Sequence, residues 1–143
     1  MKKHAAGFLI GKLVSGNKIK FLGLVADEAT RKARSGIYDI PKGKFNKDES
    51  DIDCAIRECF EESGILFSKD DVIGKPSIKN GLVIYSALTE DNPEINPNPE
   101  SGIVEHEGFK WLDEKTILDL CLGYLRDSIF ESIDNIKIEL SLK

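Results

Sequence analysis

Six apolar runs of strand length predict a β-rich framework, at residues 5–14, 18–26, 37–40, 72–79, 82–89 and 104–112. The polar segment Ser15-Gly16-Asn17 separates the first two runs and indicates a hairpin. Asn80-Gly81 separates the fourth and fifth runs, and this dipeptide is a strong signal for a tight hairpin turn. The two hairpins therefore supply most of a predicted sheet.

A helix is predicted directly after Ser50, because apolar residues recur there at positions i, i+3, i+4, i+7 and i+8. These residues are Ile52, Ala55, Ile56, Cys59 and Phe60. They form a stripe that is expected to face a core. Ser50 and Asp53 approximate a capping box, with Asp in place of the usual Glu or Gln. Gly64 stands where a helix commonly ends in the left-handed conformation.

Two more helices are predicted near the end of the sequence, at residues 113–121 and 124–136. On the second helix, the residues that share one face are Leu125, Ile129, Ser132 and Ile133. Strands and helices that alternate in this way favour the α/β class, with a mixed central sheet sandwiched between helices.

Three segments lack strand or helix periodicity and are predicted to be loops, at residues 27–35, 40–44 and 90–102. The first segment is charged and is expected to lie near the functional site. The second carries Pro41 and Gly43 and offers backbone groups just ahead of the predicted helix. The third contains three prolines, and loops of its length are commonly lids, binding loops or mobile segments.

The composition fits one globular domain that spans residues 1–143. The net charge of −5 argues against broad, nonspecific nucleic-acid binding, although local lysine clusters leave binding of an RNA end open. Cys54, Cys59 and Cys121 show no metal-ligand spacing and favour a reducing, cytoplasmic setting. Neither a secretory leader nor a membrane-spanning segment is predicted, and the pattern leaves the oligomeric state open.

Three carboxylates, Glu58, Glu61 and Glu62, fall within five residues of the predicted helix. Positions i, i+3 and i+4 are neighbours on one helical face, so these like charges destabilise the helix unless a cation compensates them. Oxygen ligands suit hard divalent ions such as Mg²⁺, for which Mn²⁺ substitutes. The cluster therefore predicts a Mg²⁺ site, although an acid-rich helix face taken alone is more often simply solvated.

The residues around this cluster match the pattern Gly-x5-Glu-x7-Arg-Glu-U-x-Glu-Glu-x-Gly-U, in which U is bulky and apolar. The matching residues are Gly43, Glu49, Arg57, Glu58, Cys59, Glu61, Glu62, Gly64 and Ile65. Cys59 is a mild departure, since a buried cysteine behaves as a small hydrophobe. Over residues 43–65 the chain thus resembles the Nudix hydrolase family. The resemblance implies one Nudix domain with the α/β/α sandwich fold.

This resemblance also implies a metal site. Glu58, Glu61 and Glu62 are expected to bind Mg²⁺ directly or through water, and the backbone carbonyl of Lys42 is expected to be a further ligand. Such enzymes hydrolyse a nucleoside diphosphate linked to another moiety. Water that is activated by the metal and a carboxylate attacks one phosphorus atom.

The remaining motif residues are expected to position the acids. Arg57 resembles the residue that holds a motif glutamate in place, and Glu61 lies four residues after it. Glu49 is similar to the acid that supports the loop before the helix. The general base stays open between Glu58, Glu62 and Glu105.

Residues 38–44 (Tyr-Asp-Ile-Pro-Lys-Gly-Lys) resemble the segment that precedes the motif in diadenosine polyphosphate hydrolases. Tyr38 stands where that pattern has Trp. Lys42 and Lys44 are then expected to bind substrate phosphates, with an ordinary surface lysine as the alternative for Lys42.

Residues 105–112 resemble the Glu-His-x-x-aromatic-x-Trp strand of diadenosine tetraphosphate and ADP-ribose hydrolases. The resemblance implies that Glu105 is a further catalytic and metal-binding acid, although a Glu at a strand start is more often solvated. Strand alternation predicts that Glu105, Glu107, Phe109 and Trp111 share one face. Trp111 is interpreted as a core residue and His106 as structural.

The second hairpin offers two more substrate contacts. Tyr85 is similar in position to the adenine-stacking tyrosine of diadenosine polyphosphate enzymes, and a half-buried core tyrosine is the alternative. Lys79, like Lys75, is expected either to meet phosphates or to solvate a sheet edge.

The sequence therefore predicts a Mg²⁺-dependent Nudix pyrophosphohydrolase with a small nucleotide substrate, foremost a dinucleoside polyphosphate. ADP-ribose and the 5′ end of RNA are the alternative substrates. A module that binds a nucleotide or an RNA end without turnover is the alternative from another functional class.

Overall fold

Seven strands form one mixed sheet in a computed structural model, which describes residues 2–16, 18–95, 97, 102 and 105–141. The strands are β1 (Ala5–Ser15), β2 (Lys18–Ala26), β3 (Tyr38–Asp39), β4 (Lys42–Lys44), β5 (Ser77–Lys79), β6 (Leu82–Leu88) and β7 (His106–Leu112). The helices are α1 (Glu28–Arg34), α2 (Asp51–Ser63), α3 (Glu114–Leu120) and α4 (Arg126–Ser141). Single 3₁₀ turns lie at Lys69–Asp71 and Gly123–Leu125.

The strand order β3-β2-β1-β6-β5 makes the sheet mixed, since β1 pairs with β6 in parallel and the other pairs are antiparallel. Two strands lie off this path. β4 pairs with the first residues of β1, and β7 pairs along β2. β4 and β2 thus share one edge of β1, since β4 pairs with residues 5–7 and β2 with residues 11–15.

Helices cover both faces of the sheet, as the α/β/α prediction requires. Phe8 and Ile10 point to the face where α2 packs, and its Cys54, Ala55 and Cys59 are fully buried there. The neighbouring strand residue Leu9 points to the opposite face. Buried residues come there from α3, from the 3₁₀ turn at Gly123–Leu125 and from α4, and they include Ile117, Leu125, Ile129, Ser132 and Ile133. Alternate strand residues thus contribute to two cores, one on each face of the sheet. Burial of their apolar surface is the main favourable term in folding.

The structure corrects the prediction of a loop at residues 27–35, where it forms α1. The Asp27 carboxylate accepts the Thr30 amide at 2.8 Å and caps this helix. The helix buries none of its residues. It therefore carries no apolar periodicity by which a sequence pattern reveals a helix.

Three strand or loop boundaries are also corrected. Residues 42–44, predicted as loop, form β4 because the edge of β1 is open to pair with them. Residues 72–76 lie outside the strands, and the hairpin begins at Ser77, after Gly74 and Pro76 interrupt the run. The predicted strand at 104–112 begins at His106, and residue 104 lies outside the described residues, as does part of the predicted loop at 90–102.

The apolar stripe of α2 is rotated from its predicted position. Phe60 is 51% exposed, whereas Cys54 is fully buried. All three cysteines are buried and unpaired. Among the described helices, none is both long and apolar enough to span a bilayer.

We expect the two ends of α4 to respond differently to the same substitution. Ile129 is fully buried, so Ile129→Ala is expected to lower the free energy of unfolding by about 2–5 kcal/mol. Ile138→Ala on the same helix is the matched control, because Ile138 is 52% exposed. Urea unfolding followed by circular dichroism measures both. Equal losses for the two variants would contradict the assignment of α4 to the core.

Candidate active site

An acid-rich cleft of about 460 Å³ lies beside β4. Its other walls come from α2, the start of α1 and the start of β7. The residues that line it are Ala26, Asp27, Thr30, Asp39, Lys42, Gly43, Lys44, Glu58, Glu62, Glu105 and His106. Five of them are acids. The cleft therefore holds a concentration of negative charge that the fold must offset locally.

The capping of α2 fixes the orientation of its acids. The Ser50 side chain accepts the Asp53 amide at the start of the helix, as predicted. Gly64 ends the helix with φ 74°, in the left-handed region that favours glycine, and its amide donates to the Phe60 carbonyl. Both ends of the helix are thus defined, and the acids between them have fixed positions relative to β4.

Arg57 joins three carboxylates of the motif. Its guanidinium donates twice to Glu49, at 2.8 and 2.9 Å, once to Glu58 at 2.8 Å and once to Glu61 at 2.6 Å. It also donates to the backbone carbonyl of Lys44. The bidentate bond to Arg57 lowers the pKa of Glu49 to about 2. Arg57 therefore ties α2 to both the loop before it and to β4.

Glu58 lies directly against Gly43. A Cβ atom at position 43 would overlap the Glu58 carboxylate, so any other residue here would displace that carboxylate from its place beside Arg57. Burial raises the pKa of Glu58, although Arg57 opposes the shift, and the charges of Glu61 and Glu105 add to the rise. The close contact explains why the motif has glycine here.

Glu62 is held by the backbone of β4. Its Oε1 accepts the Lys42 amide at 3.0 Å. Burial raises the pKa of Glu62 well above its usual range, and the nearby charges of Asp39 and Glu105 raise it further. Glu62 is thus the most strongly desolvated acid of the motif.

Asp39 forms a buried network that the sequence interpretation missed. Its Oδ1 lies 2.9 Å from the Lys42 ammonium, and its Oδ2 lies 3.1 Å from His106 Nε2. Burial works to raise the pKa of Asp39, but Lys42 and His106 outweigh it and the net shift is downward. The one available signal was an acid inside the apolar run 37–40, because a buried carboxylate requires a partner. Asp27 and Thr30 also line the cleft, and the sequence gives no sign of them because α1 lacks apolar periodicity.

The donor set of the cleft fits a divalent metal ion. Glu58, Glu62 and Glu105 line the same cleft, and the charge of Glu105 acts on both of the other acids. Burial and mutual repulsion both disfavour the ionised form of these carboxylates, and a bound cation would stabilise it. The carboxylate oxygens are the ligands that a hard divalent cation prefers. Among the described residues, no three of the acidic, histidine or cysteine side chains converge on a single point. Arg57 holds Glu58 and Glu61, and the Lys42 amide holds Glu62.

The predicted substrate-binding residues are divided between two places. Lys42 and Lys44 line the cleft, and the ammonium of Lys42 points to Asp39. Lys79 lies outside the cleft lining and is 3.3 Å from Glu131. Tyr85 is also outside it and packs against Phe8, with ring centroids 6.0 Å apart, which is the placement of the core alternative.

The predicted face of β7 is interrupted. A register shift leaves Glu107 without a partner residue on β2, and its carboxylate lies 3.2 Å from Arg31 of α1. Phe109 and Trp111 pack against the α2 core, in agreement with the interpretation of Trp111. Glu61 is absent from the cleft lining, because Arg57 holds it at 2.6 Å.

Known proteins are similar to this chain in sequence and in fold. The mRNA-decapping protein g5R of African swine fever virus (isolate Pig/Kenya/KEN-50/1950) is 33% identical over 121 residues, which cover 73% of this chain and 48% of the viral protein. The mRNA decapping complex subunit 2 of Schizosaccharomyces pombe is 67% identical over 33 residues, or 23% of this chain and 4% of that protein. This chain therefore spans at most about half the length of these two relatives.

A solved structure of C. elegans Ap4A hydrolase superposes with a TM-score of 0.58 at 22% identity and covers 90% of this chain and 95% of its own. At that identity the likeness concerns the fold. The family model of the NUDIX domain matches residues 14–130, which include the complete acid motif with Arg57. The chain therefore belongs to the Nudix family.

Proposed function

We propose that this chain hydrolyses the polyphosphate bridge between two nucleosides, with a capped RNA 5′ end as the leading substrate. The observation that carries the proposal is the 33% identity to a viral mRNA-decapping protein over 73% of the chain. A second decapping relative matches a short segment at 67% identity. A cap is itself a dinucleoside polyphosphate, which is the substrate class that the resemblance of residues 38–44 and 105–112 implies.

Dinucleoside polyphosphates without RNA are the second candidate. The resemblance of residues 38–44 and 105–112 to diadenosine polyphosphate hydrolases supports them. Two residues predicted to bind this substrate, Tyr85 and Lys42, make contacts within the protein instead. Tyr85 packs on Phe8 outside the cleft, and the ammonium of Lys42 is 2.9 Å from Asp39, where it neutralises a protein carboxylate.

The residues that would hold the metal ion, foremost Mg²⁺, are Glu58, Glu62, Glu105 and the backbone carbonyl of Lys42, with Glu61 adjacent. When bound, a divalent ion stabilises charge on phosphate oxygens and lowers the pKa of water. Arg57 positions the carboxylate of Glu58, and the Lys42 amide positions that of Glu62.

The reaction needs one proton acceptor and one leaving phosphate. The oxygen of water bonds to phosphorus as the anhydride P–O bond breaks, and the leaving phosphate takes the electron pair. A cleft carboxylate, Glu58, Glu62 or Glu105, accepts the proton of the attacking water. Two of these acids already have defined positions, because Arg57 holds Glu58 and the Lys42 amide of β4 holds Glu62.

Glu62→Gln is expected to reduce kcat by about 1000-fold, or about 4 kcal/mol at the transition state, because it removes a metal-binding and proton-accepting charge. The amide oxygen of Gln still accepts the Lys42 N–H, so the fold is expected to persist. Glu107→Gln makes the same change at an exposed residue outside the cleft lining. Steady-state kinetics on both variants test this assignment. A loss of only tenfold for Glu62→Gln would refute it.

Mg²⁺ is expected to raise the Tm of the wild-type protein, because an ion that binds only the folded state stabilises it. At about 100 times Kd the gain is about 2.7 kcal/mol, which corresponds to about 5 °C or more. Differential scanning fluorimetry with Mg²⁺ and with EDTA measures the shift without any turnover. Glu62→Gln should lose most of the shift and Glu107→Gln should keep it. An equal shift in all three proteins would place the ion elsewhere.

A substrate panel distinguishes the two candidates. We expect capped RNA to yield a nucleoside diphosphate and 5′-monophosphorylated RNA in the presence of Mg²⁺. Diadenosine tetraphosphate, ADP-ribose, nucleoside triphosphates and 5′-triphosphorylated RNA serve as the alternatives, with products resolved by chromatography. Faster turnover of the dinucleotide than of capped RNA would reverse the order of the candidates. Absence of turnover with both Mg²⁺ and Mn²⁺ would favour a binding module.

A further inference from the structure

A second cavity of about 460 Å³ lies beside the acidic cleft, and its charge has the opposite sign. It is lined by His4, Ala5, Arg34, Lys42, Gly43, Lys44, Lys79, Asn80, Leu82 and Tyr124. Four of these residues are cations, and no lining residue is acidic. Such a concentration is unusual on a chain whose net charge is −5.

Strand β4 is the wall that the two cavities share. Lys42, Gly43 and Lys44 line both of them. An extended substrate bound across β4 would contact the metal-binding acids at one end and a group of cations at the other. A chain of phosphates meets complementary charge on both sides, through the metal on one side and directly on the other.

The cations of the second cavity come from distant parts of the sequence. Arg34 ends α1, Lys44 ends β4 and Lys79 ends β5. Among the described residues, Arg34 and Lys44 make no ion pair, whereas Lys79 has Glu131 at 3.3 Å. Within the described part of the chain these two exposed cationic side chains have no carboxylate partner, and a bound anion would supply one.

Tyr124 gives this cavity an aromatic surface. Its ring is 47% exposed, and the Arg34 guanidinium and the Lys42 ammonium lie 5.4 and 5.5 Å from its centroid. Ala5 and Leu82 add apolar surface to the floor. A volume of this size accommodates a small ligand, and aromatic surface next to cations suits a nucleoside base beside its phosphate.

We propose that this cationic cavity binds a nucleoside phosphate, namely the portion of the substrate that lies beyond the metal-binding acids. Arg34, Lys44 and Lys79 contact its phosphate oxygens, and Tyr124 contacts its ribose or base. The proposal rests on the proposed function for the identity of the ligand. It adds Arg34 and Tyr124 to the substrate-binding residues and gives Lys79 a place apart from the cleft.

Binding without turnover tests this site. Fluorescence anisotropy of a labelled 5′-phosphorylated RNA, and its competition by AMP, are measured in EDTA, so that the metal site does not contribute. Arg34→Gln and Lys79→Gln are each expected to weaken binding about fivefold or more. Loss of one phosphate contact should also reduce the slope of log K against log salt by about 0.7.

Lys32→Gln is the matched control, because Lys32 lies on the same helix as Arg34 but outside the cavity lining, where it pairs with Glu28. It should leave affinity and salt slope unchanged. Weaker binding of both RNA and AMP in the Arg34 and Lys79 variants assigns a single nucleoside phosphate. An effect on RNA alone assigns the phosphodiester chain. Unchanged affinity in both variants overturns the proposal.

The result is separable from that of the proposed function. If the substrate panel shows no turnover but the Arg34 and Lys79 variants lose binding, the cationic site stands and the hydrolytic assignment falls. If turnover of capped RNA is confirmed but both variants bind normally, the hydrolytic assignment stands and the cationic site falls.

Discussion

The arrangement of the acid motif depends on the neutralisation of crowded carboxylates. Arg57 contacts Glu49, Glu58 and Glu61 within 2.9 Å, which offsets repulsion that would otherwise act against helix α2. The same guanidinium donates to the Lys44 carbonyl and so fixes the helix against β4. Charge compensation and tertiary positioning are thus carried by one side chain. A lysine, with a single ammonium group, does not present five donors in a planar fork.

Strand β4 is the structural element on which both cavities depend. It is three residues long, yet its backbone binds Glu62, its Gly43 leaves space for Glu58, and its lysines line the acidic and the cationic cavities. Pairing with β1 gives it the rigidity of the central sheet. A loop in this position would hold the same groups with less precision, because loops lack the repeated hydrogen bonds of a sheet.

Burial divides the acids of the cleft into two kinds. Asp39 is buried but paired with Lys42 and His106, and its pKa is lowered. Glu62 is partly buried and accepts the Lys42 backbone amide, but it has no ion pair among the described residues, and its pKa is raised. An acid with a protein cation already has its charge balanced, so it contributes to structure. An acid without one is suited to a metal ion or a proton, which is the role that the mechanism assigns to Glu62.

Local patterns determined much of this protein. The motif spacing located the acids, Arg57 and both ends of α2, because helix periodicity and capping are local properties. The two hairpins and the apolar face of α4 followed from apolar spacing and turn residues in the same way. Contacts between distant segments were decided only by the tertiary structure. Asp39 meets His106 across 67 positions, and Arg34, Lys44 and Lys79 share a cavity because the sheet folds them together. Helix α1 has no pattern by which the sequence predicts it, since it buries none of its residues, and Tyr85 lies outside the cleft lining, where it packs against Phe8. Sequence spacing therefore located the acid motif, whereas the arrangement of charge around the motif required the packed sheet.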